Sequence, residues 1–214
     1  MKIFYFINSR RIFLKNSLAL GTLLVSSFFK PSIGYSDCTL SPKESTGPFY
    51  PLSFPIDQDN DLTYLTNKSL NAAGEVIYIK GLIQNASCQP ISNALVEIWQ
   101  ADHHGRYNHP RDKNHPNPID QNFQYWGRAI TDNAGHYLFE TIKPSPYNDD
   151  GDWRTPHVHF KIYRKRNICA LTTQMYFVDE PLNAQDNHLQ SLPKEKQKLL
   201  LTKLKKNPKY GFLY

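Results

Sequence analysis

Short stretches in which apolar and polar residues alternate recur along the chain, separated by turn-forming residues. An alternation with a period of two is typical of strands that bury one face. Residues 192–206 alone have a helical pattern, with Pro193 near the start and lysines near the end. The predicted strands are residues 75–84, 94–101, 127–132, 136–142, 157–164 and 170–179. Many short strands with little helix predict an all-β fold: an antiparallel β-sandwich with one short C-terminal helix.

The connections between these strands differ in length. Asn133, Ala134 and Gly135 form a turn signal, which predicts a hairpin between residues 127–132 and 136–142. Strand 157–164 is expected to pair with strand 170–179. Two connections, residues 102–126 and 143–156, are too long for simple hairpins, and long loops on a rigid sandwich commonly carry active sites. Residues 37–75 are predicted to form an irregular N-terminal arm.

The N-terminal segment carries an export-like pattern. The sequence "SRRIFLK" (Ser9 to Lys15) precedes an apolar run from Leu18 to Phe29 and resembles a twin-arginine signal. The run is shorter than the ~20 residues that span a bilayer, although a membrane anchor is the alternative interpretation. We therefore expect a signal peptide over residues 1–36, a single domain over residues 37–214, the twin-arginine export machinery as a partner, and a periplasmic or secreted location.

Charge gives no indication of a nucleic-acid partner. The chain has 25 basic and 19 acidic residues, a formal net charge of +6. Five of the basic residues and none of the acidic ones lie in residues 1–36, so 20 basic against 19 acidic residues remain, a net charge of +1. A nearly neutral domain lacks the basic surface that nucleic-acid binding needs, and we predict no nucleic acid among its partners.

The cysteines are too scattered for a thiolate metal site. Cys38, Cys88 and Cys169 do not form a C-x-x-C pair. In an oxidising compartment Cys38 and Cys88 can pair, which would leave Cys169 buried in a strand, but the sequence leaves the connectivity open.

A pair of histidines stands out within the strand "HVHFKIYR". Positions i and i+2 of a strand face the same side, about 6–7 Å apart. Val158 and Phe160 can therefore face the core while His157 and His159 look out together, a separation that suits two ligands of one metal ion. Taken alone, this pattern is more typical of a surface pair or of a single core histidine.

Several motifs together resemble one enzyme family. They occur in the order found in the intradiol ring-cleavage dioxygenases, most similar to the protocatechuate 3,4-dioxygenase branch, and run from about Ser45 to Phe177. The long N-terminal helical region of catechol 1,2-dioxygenases has no counterpart here. The motifs are "TGPFY", "WQADHHGRY", "KPSPY", "WRTPHVH" and "TQMYF".

The resemblance implies a non-haem Fe(III) cofactor held by Tyr107, Tyr147, His157 and His159. It also implies cleavage of a small catechol-type diol by O2 to a cis,cis-muconate-type diacid, with Tyr147 leaving the iron as substrate binds and Tyr107 staying. The donor chemistry agrees, because ferric iron is a hard ion that favours anionic oxygen ligands and coordination can deprotonate a phenol at neutral pH. Ordinary aromatic packing is the alternative role for the two tyrosines.

Further residues carry over from the same motifs. Arg154 matches an arginine beside the bound aromatic ring, and Gln174 matches a glutamine close to the iron. Trp99 and Tyr50 are candidates for the pocket lining. The alternative roles are structural: a surface salt bridge for Arg154, a polar position in a pair of strands for Gln174, and packing for Trp99 and Tyr50. The segment after Tyr147 is shorter than in protocatechuate enzymes, which leaves the choice of catechol open.

Four histidines crowd the first long loop, and we expect them to be exposed, with a second metal site as the alternative: His103, His104, His109 and His115.

The competing function is an exported, non-catalytic β-sandwich that binds carbohydrate or a surface ligand, its histidines idle or holding adventitious metal. Colour distinguishes the two functions, because ferric tyrosinate absorbs visible light and zinc does not. Assembly into a homo-oligomer stays open.

Overall fold

The computed structural model describes residues 2–3, 38–165, 168–203, 205–207 and 211–213. The predicted export signal lies outside the described residues, apart from Lys2–Ile3. Within the described part of the chain, none of the helices has the length and apolar character that a bilayer crossing requires.

The described chain forms twelve strands and two short α-helices. In chain order they are β1 (Lys2–Ile3), β2 (Val76–Gln84), β3 (Leu95–Trp99), β4 (Trp126–Ile130), β5 (His136–Ile142), β6 (Tyr147–Asp149), β7 (Asp152–Arg154), β8 (His157–Lys165), β9 (Ile168–Phe177), α1 (Asn187–Gln190), α2 (Lys194–Leu200), β10 (Leu201–Thr202), β11 (Lys205–Asn207) and β12 (Gly211–Leu213). Two 3-10 turns cover Pro110–Asp112 and Pro181–Ala184.

Two five-stranded sheets make up the body of the fold. The first contains β1, β2, β12 and β11 in that order, with β5 also paired to β2, and the second has the order β10-β9-β8-β3-β4. β6 and β7 form a separate two-stranded ribbon. The long strand pairs are antiparallel, whereas the short strands β10 and β12 join β9 and β2 in parallel.

The two sheets pack face to face around one core. Along β2 the buried positions alternate, with Ile77, Ile79 and Ile83 fully buried, and they belong to the same cluster as Val158 and Phe160 of β8. Burying each such side chain is worth roughly 1.5–3 kcal/mol. The predicted all-β sandwich is therefore confirmed, with strand bounds close to those that the alternation indicates.

The predicted hairpin at residues 133–135 is wrong. β4 pairs with β3 in one sheet and β5 pairs with β2 in the other, so this turn crosses between sheets. The local turn chemistry is as expected: Asp132 accepts hydrogen bonds from Ala134 N and His136 N, and Gly135 has φ +78°. A turn's own hydrogen bonds do not set which sheet the next strand joins.

The C-terminal helix is shorter than its pattern predicts. α2 ends at Leu200, and Leu201–Thr202 then pairs with β9 as a strand. A four-residue helix, α1, precedes it and has Asp186 at its N-cap. By pairing with the edge of the sheet, the backbone N–H and C=O groups of this segment form hydrogen bonds that further helical turns would otherwise have supplied.

The cysteines also differ from expectation in one respect. Cys38 and Cys88 form a disulfide with a Cα–Cα distance of 5.3 Å. The free Cys169 is exposed, so the prediction that it is buried is wrong. It lies at the start of β9, where the pairing with β8 shifts register, and its neighbours Ile168 and Ala170 are exposed as well.

Candidate metal centre

The two histidines of β8 lie side by side under a cover of loops. His157 and His159 are 2% and 1% exposed, and their Nε2 atoms are 3.2 Å apart. His157 Nδ1 is 2.7 Å from the carbonyl oxygen of Thr155, which orients the ring and leaves Nε2 free to face the site. Because Val158 and Phe160 occupy the sandwich core, alternation along the strand directs both imidazoles to its opposite face.

The two tyrosines reach this pair from separate segments. Tyr147 begins β6 with its ring centroid 5.6 Å from that of His157, and Tyr107 lies on the first long loop, 6.5 Å from His159. The two phenol rings are 5.4 Å apart. Both hydroxyl groups are buried and have no hydrogen-bond partner among the described residues. The structure thus brings all four predicted ligands into one cluster.

A tight turn holds the segment that carries Tyr107 against the segment that carries Tyr147. Asp102 Oδ1 accepts hydrogen bonds from His104 N and Arg106 N, and Tyr107 N donates to Asp112 Oδ2. Gly105 has φ +76°, and a Cβ atom there would collide with the carbonyl oxygen of Pro146. A glycine is therefore required where the two tyrosine-bearing segments touch.

The N-terminal arm covers the cluster. Phe49 stacks on Tyr107 at 4.5 Å with an interplanar angle of 17°. Gly47, with φ +71°, passes so close that a Cβ atom would lie 3.2 Å from His159 Cε1. The "TGPFY" motif thus packs directly against Tyr107 and His159.

Trp99 and Tyr50 pack next to the cluster. Trp99 is 1% exposed and stacks on His159 at 4.8 Å with an interplanar angle of 6°. Tyr50 meets Trp99 edge to face at 4.9 Å, and its hydroxyl donates to Glu97 at 2.8 Å. Trp99 therefore restricts the orientation of the His159 ring, and the Tyr50 hydroxyl is already hydrogen-bonded to the Glu97 carboxylate.

Arg154 enters the cluster from β7, directly opposite Tyr147 in the ribbon. Its Nε donates to Asp186 at 3.0 Å, and its Nη2 donates to Gln174 Oε1 at 3.1 Å. Tyr176 also donates to Gln174, at 2.9 Å. The salt bridge of Arg154 is therefore buried, and Gln174 is fixed in orientation by two donors.

Three residues of this network were not predicted from the sequence: Asp186, His188 and Glu44. Asp186 is fully buried beneath Arg154. His188 Nε2 lies 3.3 Å from Gln174 Nε2 and 2.7 Å from Glu44 Oε2, so it connects the arm to the cluster. The only sequence signal is that Asp186 is a favoured N-cap residue before a short helix.

Burial sets the ionisation of the cluster. It lowers the pKa of His157 and of His159 well below the usual range, so both imidazoles are neutral at pH 7. Burial raises the pKa of Tyr147 to about 12, against the opposing effect of the Arg154 charge, and holds the pKa of Tyr107 well above its ordinary value. Two neutral imidazoles and two unpartnered phenols fit a cation that can deprotonate phenols by direct coordination.

The other loop histidines are not exposed as predicted. His109 is buried, and its Nδ1 accepts from Arg111 N at the start of a 3-10 turn. His103, His104 and His115 are half-buried because the loop folds back around Asp102. None of the four belongs to the tyrosine–histidine cluster, the group formed by Tyr107, Tyr147, His157 and His159.

Comparison with known proteins agrees with the geometry. A family model described as "Dioxygenase" matches residues 45–211. The protocatechuate 3,4-dioxygenase beta chain of Burkholderia cepacia is 39% identical over 148 residues, 68% of this chain and 63% of the relative. A chlorocatechol 1,2-dioxygenase of Pseudomonas putida is 28% identical over 61% of this chain and 51% of its own length. The chain thus spans less than two thirds of these relatives.

Solved structures show the same fold. The dioxygenase domain of a carbohydrate-binding fusion protein from Streptomyces sp. SirexAA-E aligns with a TM-score of 0.57 and 25% identity, covering 81% of this chain and 92% of that chain. The 3-chlorocatechol 1,2-dioxygenase of Rhodococcus opacus 1CP aligns with a TM-score of 0.61 and 22% identity, over 81% of this chain and 69% of that one. The matched family segment contains the whole tyrosine–histidine cluster, and the chain therefore belongs to the intradiol ring-cleavage dioxygenase family.

Proposed function

We propose that this protein is a non-haem Fe(III) enzyme that cleaves a catechol-type ring with O2 between the two hydroxylated carbons, producing a cis,cis-muconate-type diacid. One observation carries the proposal: two buried phenol hydroxyls without partners converge with two neutral imidazoles on one small volume. An unpaired buried hydroxyl costs about 1–3 kcal/mol, and a metal ligand role removes that cost. Family membership supports the same chemistry.

Tyr107 and Tyr147 would supply the oxygen ligands and His157 and His159 the nitrogen ligands. When bound, ferric iron would draw electron density from the catecholate and make a ring carbon reactive towards O2. Two phenolates suit this ion, because a hard trivalent cation favours anionic oxygen donors. Neutral histidines keep the total charge of the site low, which favours its burial.

The two tyrosines differ in access. Tyr147 lines an open cavity of about 490 Å³, together with Asn148 and Trp153, whereas Tyr107 is sealed under Phe49. Tyr147 would therefore be the ligand that gives way to an incoming diol, and its oxygen would take up one of the diol's two protons. Arg154 lies opposite Tyr147 in the ribbon, and its fixed positive charge would stabilise negative charge on a bound ring.

Oxygen uptake by the purified protein tests the proposal. We expect one iron per chain, a visible ferric-tyrosinate band, and O2 consumption with at least one member of a panel of catechol, protocatechuate, chlorocatechol and hydroxyquinol. Tyr107→Phe should remove or strongly shift the band and lower activity at least about a hundredfold. Tyr64→Phe, at an exposed tyrosine of the arm, is the matched control and should change neither.

Two results would overturn the proposal. Iron-loaded, coloured protein that consumes no O2 with any diol in the panel would exclude the enzymatic activity. Colourless protein that carries zinc and binds carbohydrate would favour the non-catalytic alternative.

A further inference from the structure

A second group of metal-ligand atoms lies on the first long loop, outside the tyrosine–histidine cluster. One ligand atom from each of Asp102, His103 and His104 lies within 4.8 Å of the others. The two imidazole rings are adjacent, with centroids 3.7 Å apart. His104 also borders the open cavity beside Tyr147, which gives an ion a path from solvent.

Each of the two imidazoles has a ring nitrogen that forms no hydrogen bond with the described residues. His103 Nδ1 and His104 Nδ1 are both buried, and neither has a hydrogen-bond partner in the described part of the chain. Two such atoms side by side are unusual, because nearly all buried polar side-chain atoms are paired, and a bound water or ion is a common explanation for exceptions. Neutral imidazole nitrogen is also a good ligand for zinc.

Two carboxylates border the imidazole pair, Asp102 within the 4.8 Å group and Asp120 beside His103, and only Asp120 has an oxygen that accepts fewer than two hydrogen bonds from the described residues. Asp102 is already occupied: Oδ1 accepts from two backbone N–H groups, and Oδ2 accepts from Asp120 N and Tyr125 Oη. Asp120 Oδ2 accepts from Ala73 N, and an oxygen with two lone pairs retains one. This oxygen lies 3.7 Å from His103 Nδ1. Two ligands of a tetrahedral zinc ion lie roughly 3.4 Å apart.

We propose that His103, His104 and Asp120 form a second metal site that takes a borderline divalent cation such as Zn²⁺, with water in the remaining position. The site has a structural consequence. Ser145 N donates to Asp102 O and Ser145 Oγ donates to His103 O, so the site lies where the Tyr107 segment meets the Tyr147 segment. A bound cation would link these two segments to the part of the loop that carries Asp120.

Zinc titration of the iron-loaded protein tests this inference. We expect one zinc per chain in addition to the iron, with no loss of iron or of its visible band. His103→Asn and His104→Asn should each weaken zinc binding at least about tenfold. His115→Asn, a half-buried histidine on the same loop, is the matched control and should leave zinc affinity unchanged.

Zinc K-edge X-ray absorption of the unaltered protein gives a result that does not depend on how the variants fold. Two imidazole ligands and oxygen ligands at about 2.0–2.2 Å are expected. Three outcomes would overturn the site: no zinc binding by the iron-loaded protein at micromolar zinc, histidine variants that bind zinc as tightly as the unaltered protein, or zinc uptake matched by iron loss. The last would show zinc at the tyrosine–histidine cluster instead, and it leaves the proposed dioxygenase function separately testable by O2 uptake.

Discussion

Asp186 shows how one buried carboxylate organises the candidate site. It is fully buried and accepts hydrogen bonds from Arg154 Nε, Thr155 N and Leu189 N. It therefore holds the guanidinium beside Tyr147 and caps α1 at the same time. An Arg154 without this partner would be a buried, uncompensated charge, so the position of Arg154 depends on a residue 32 positions away in the chain.

Asp186→Asn should lower the free energy of unfolding by about 3 kcal/mol, because removing one partner of a buried ion pair leaves the other charge unpaired. Urea unfolding of the purified protein measures the change. Asp179→Asn, at an exposed position of the same connection, should stay within about 0.5 kcal/mol of the unaltered protein. Equal stabilities of the two variants would contradict the role assigned to Asp186.

The N-terminal arm is an irregular element that the core alone does not hold. The disulfide between Cys38 and Cys88 ties its start to the turn after β2, where Cys38 N also donates to Ala86 O. Further along, Phe49 stacks on Tyr107. A segment with little regular hydrogen bonding depends on such attachments, because its backbone order is costly in entropy.

Cys38→Ser combined with Cys88→Ser should lower the free energy of unfolding by about 4 kcal/mol, the chain-entropy value for a closed loop of this length. The sequence separation of the two cysteines is 50 residues. Urea unfolding without reductant makes the measurement. Cys169→Ser, at the exposed free cysteine, is the control and should have little effect. A double variant as stable as the control would show that the arm is held by packing alone.

The molecule as a whole combines features that suit an exported enzyme. A disulfide is typical of oxidising compartments outside the cytoplasm, and the "SRRIFLK" segment resembles a twin-arginine signal. We propose that the chain is exported by this route to the periplasm or beyond. Export in the folded state would let iron be loaded in the cytoplasm, before tighter-binding zinc or copper can occupy the ligands.

Replacing Arg10 and Arg11 by lysine should keep the protein in the cytoplasm of a bacterial host that has the twin-arginine pathway. Cell fractionation followed by immunodetection gives the distribution, and thiol labelling should show Cys38 and Cys88 reduced in the retained protein. Arg111→Lys, within the folded domain, is the control and should be exported normally. An unchanged periplasmic fraction for the double variant would reject the proposed route.

Local patterns were sufficient for the six longer strands and for the alignment of the histidines, but not for short strands such as β6, β7 and β10. The alternation over residues 136–142 gives the bounds of β5, and the spacing of His157 and His159 places both on one strand face. These properties depend on the period-two geometry of an extended chain, which each segment carries within itself. The motif order also led to the family, because the motifs are local sequence features that can be read without the tertiary structure.

Such local patterns did not predict contacts between segments that are distant in sequence. The turn at residues 133–135 has the same local chemistry whether it closes a hairpin or crosses between sheets, so packing of the apolar faces decided its connection. Burial of His109, exposure of Cys169 and the pairing of Asp186 with Arg154 likewise follow from which segments fold over one another. Periodicity along a chain specifies which face a residue takes, whereas its neighbours across space are specified only once both sheets and their loops have packed.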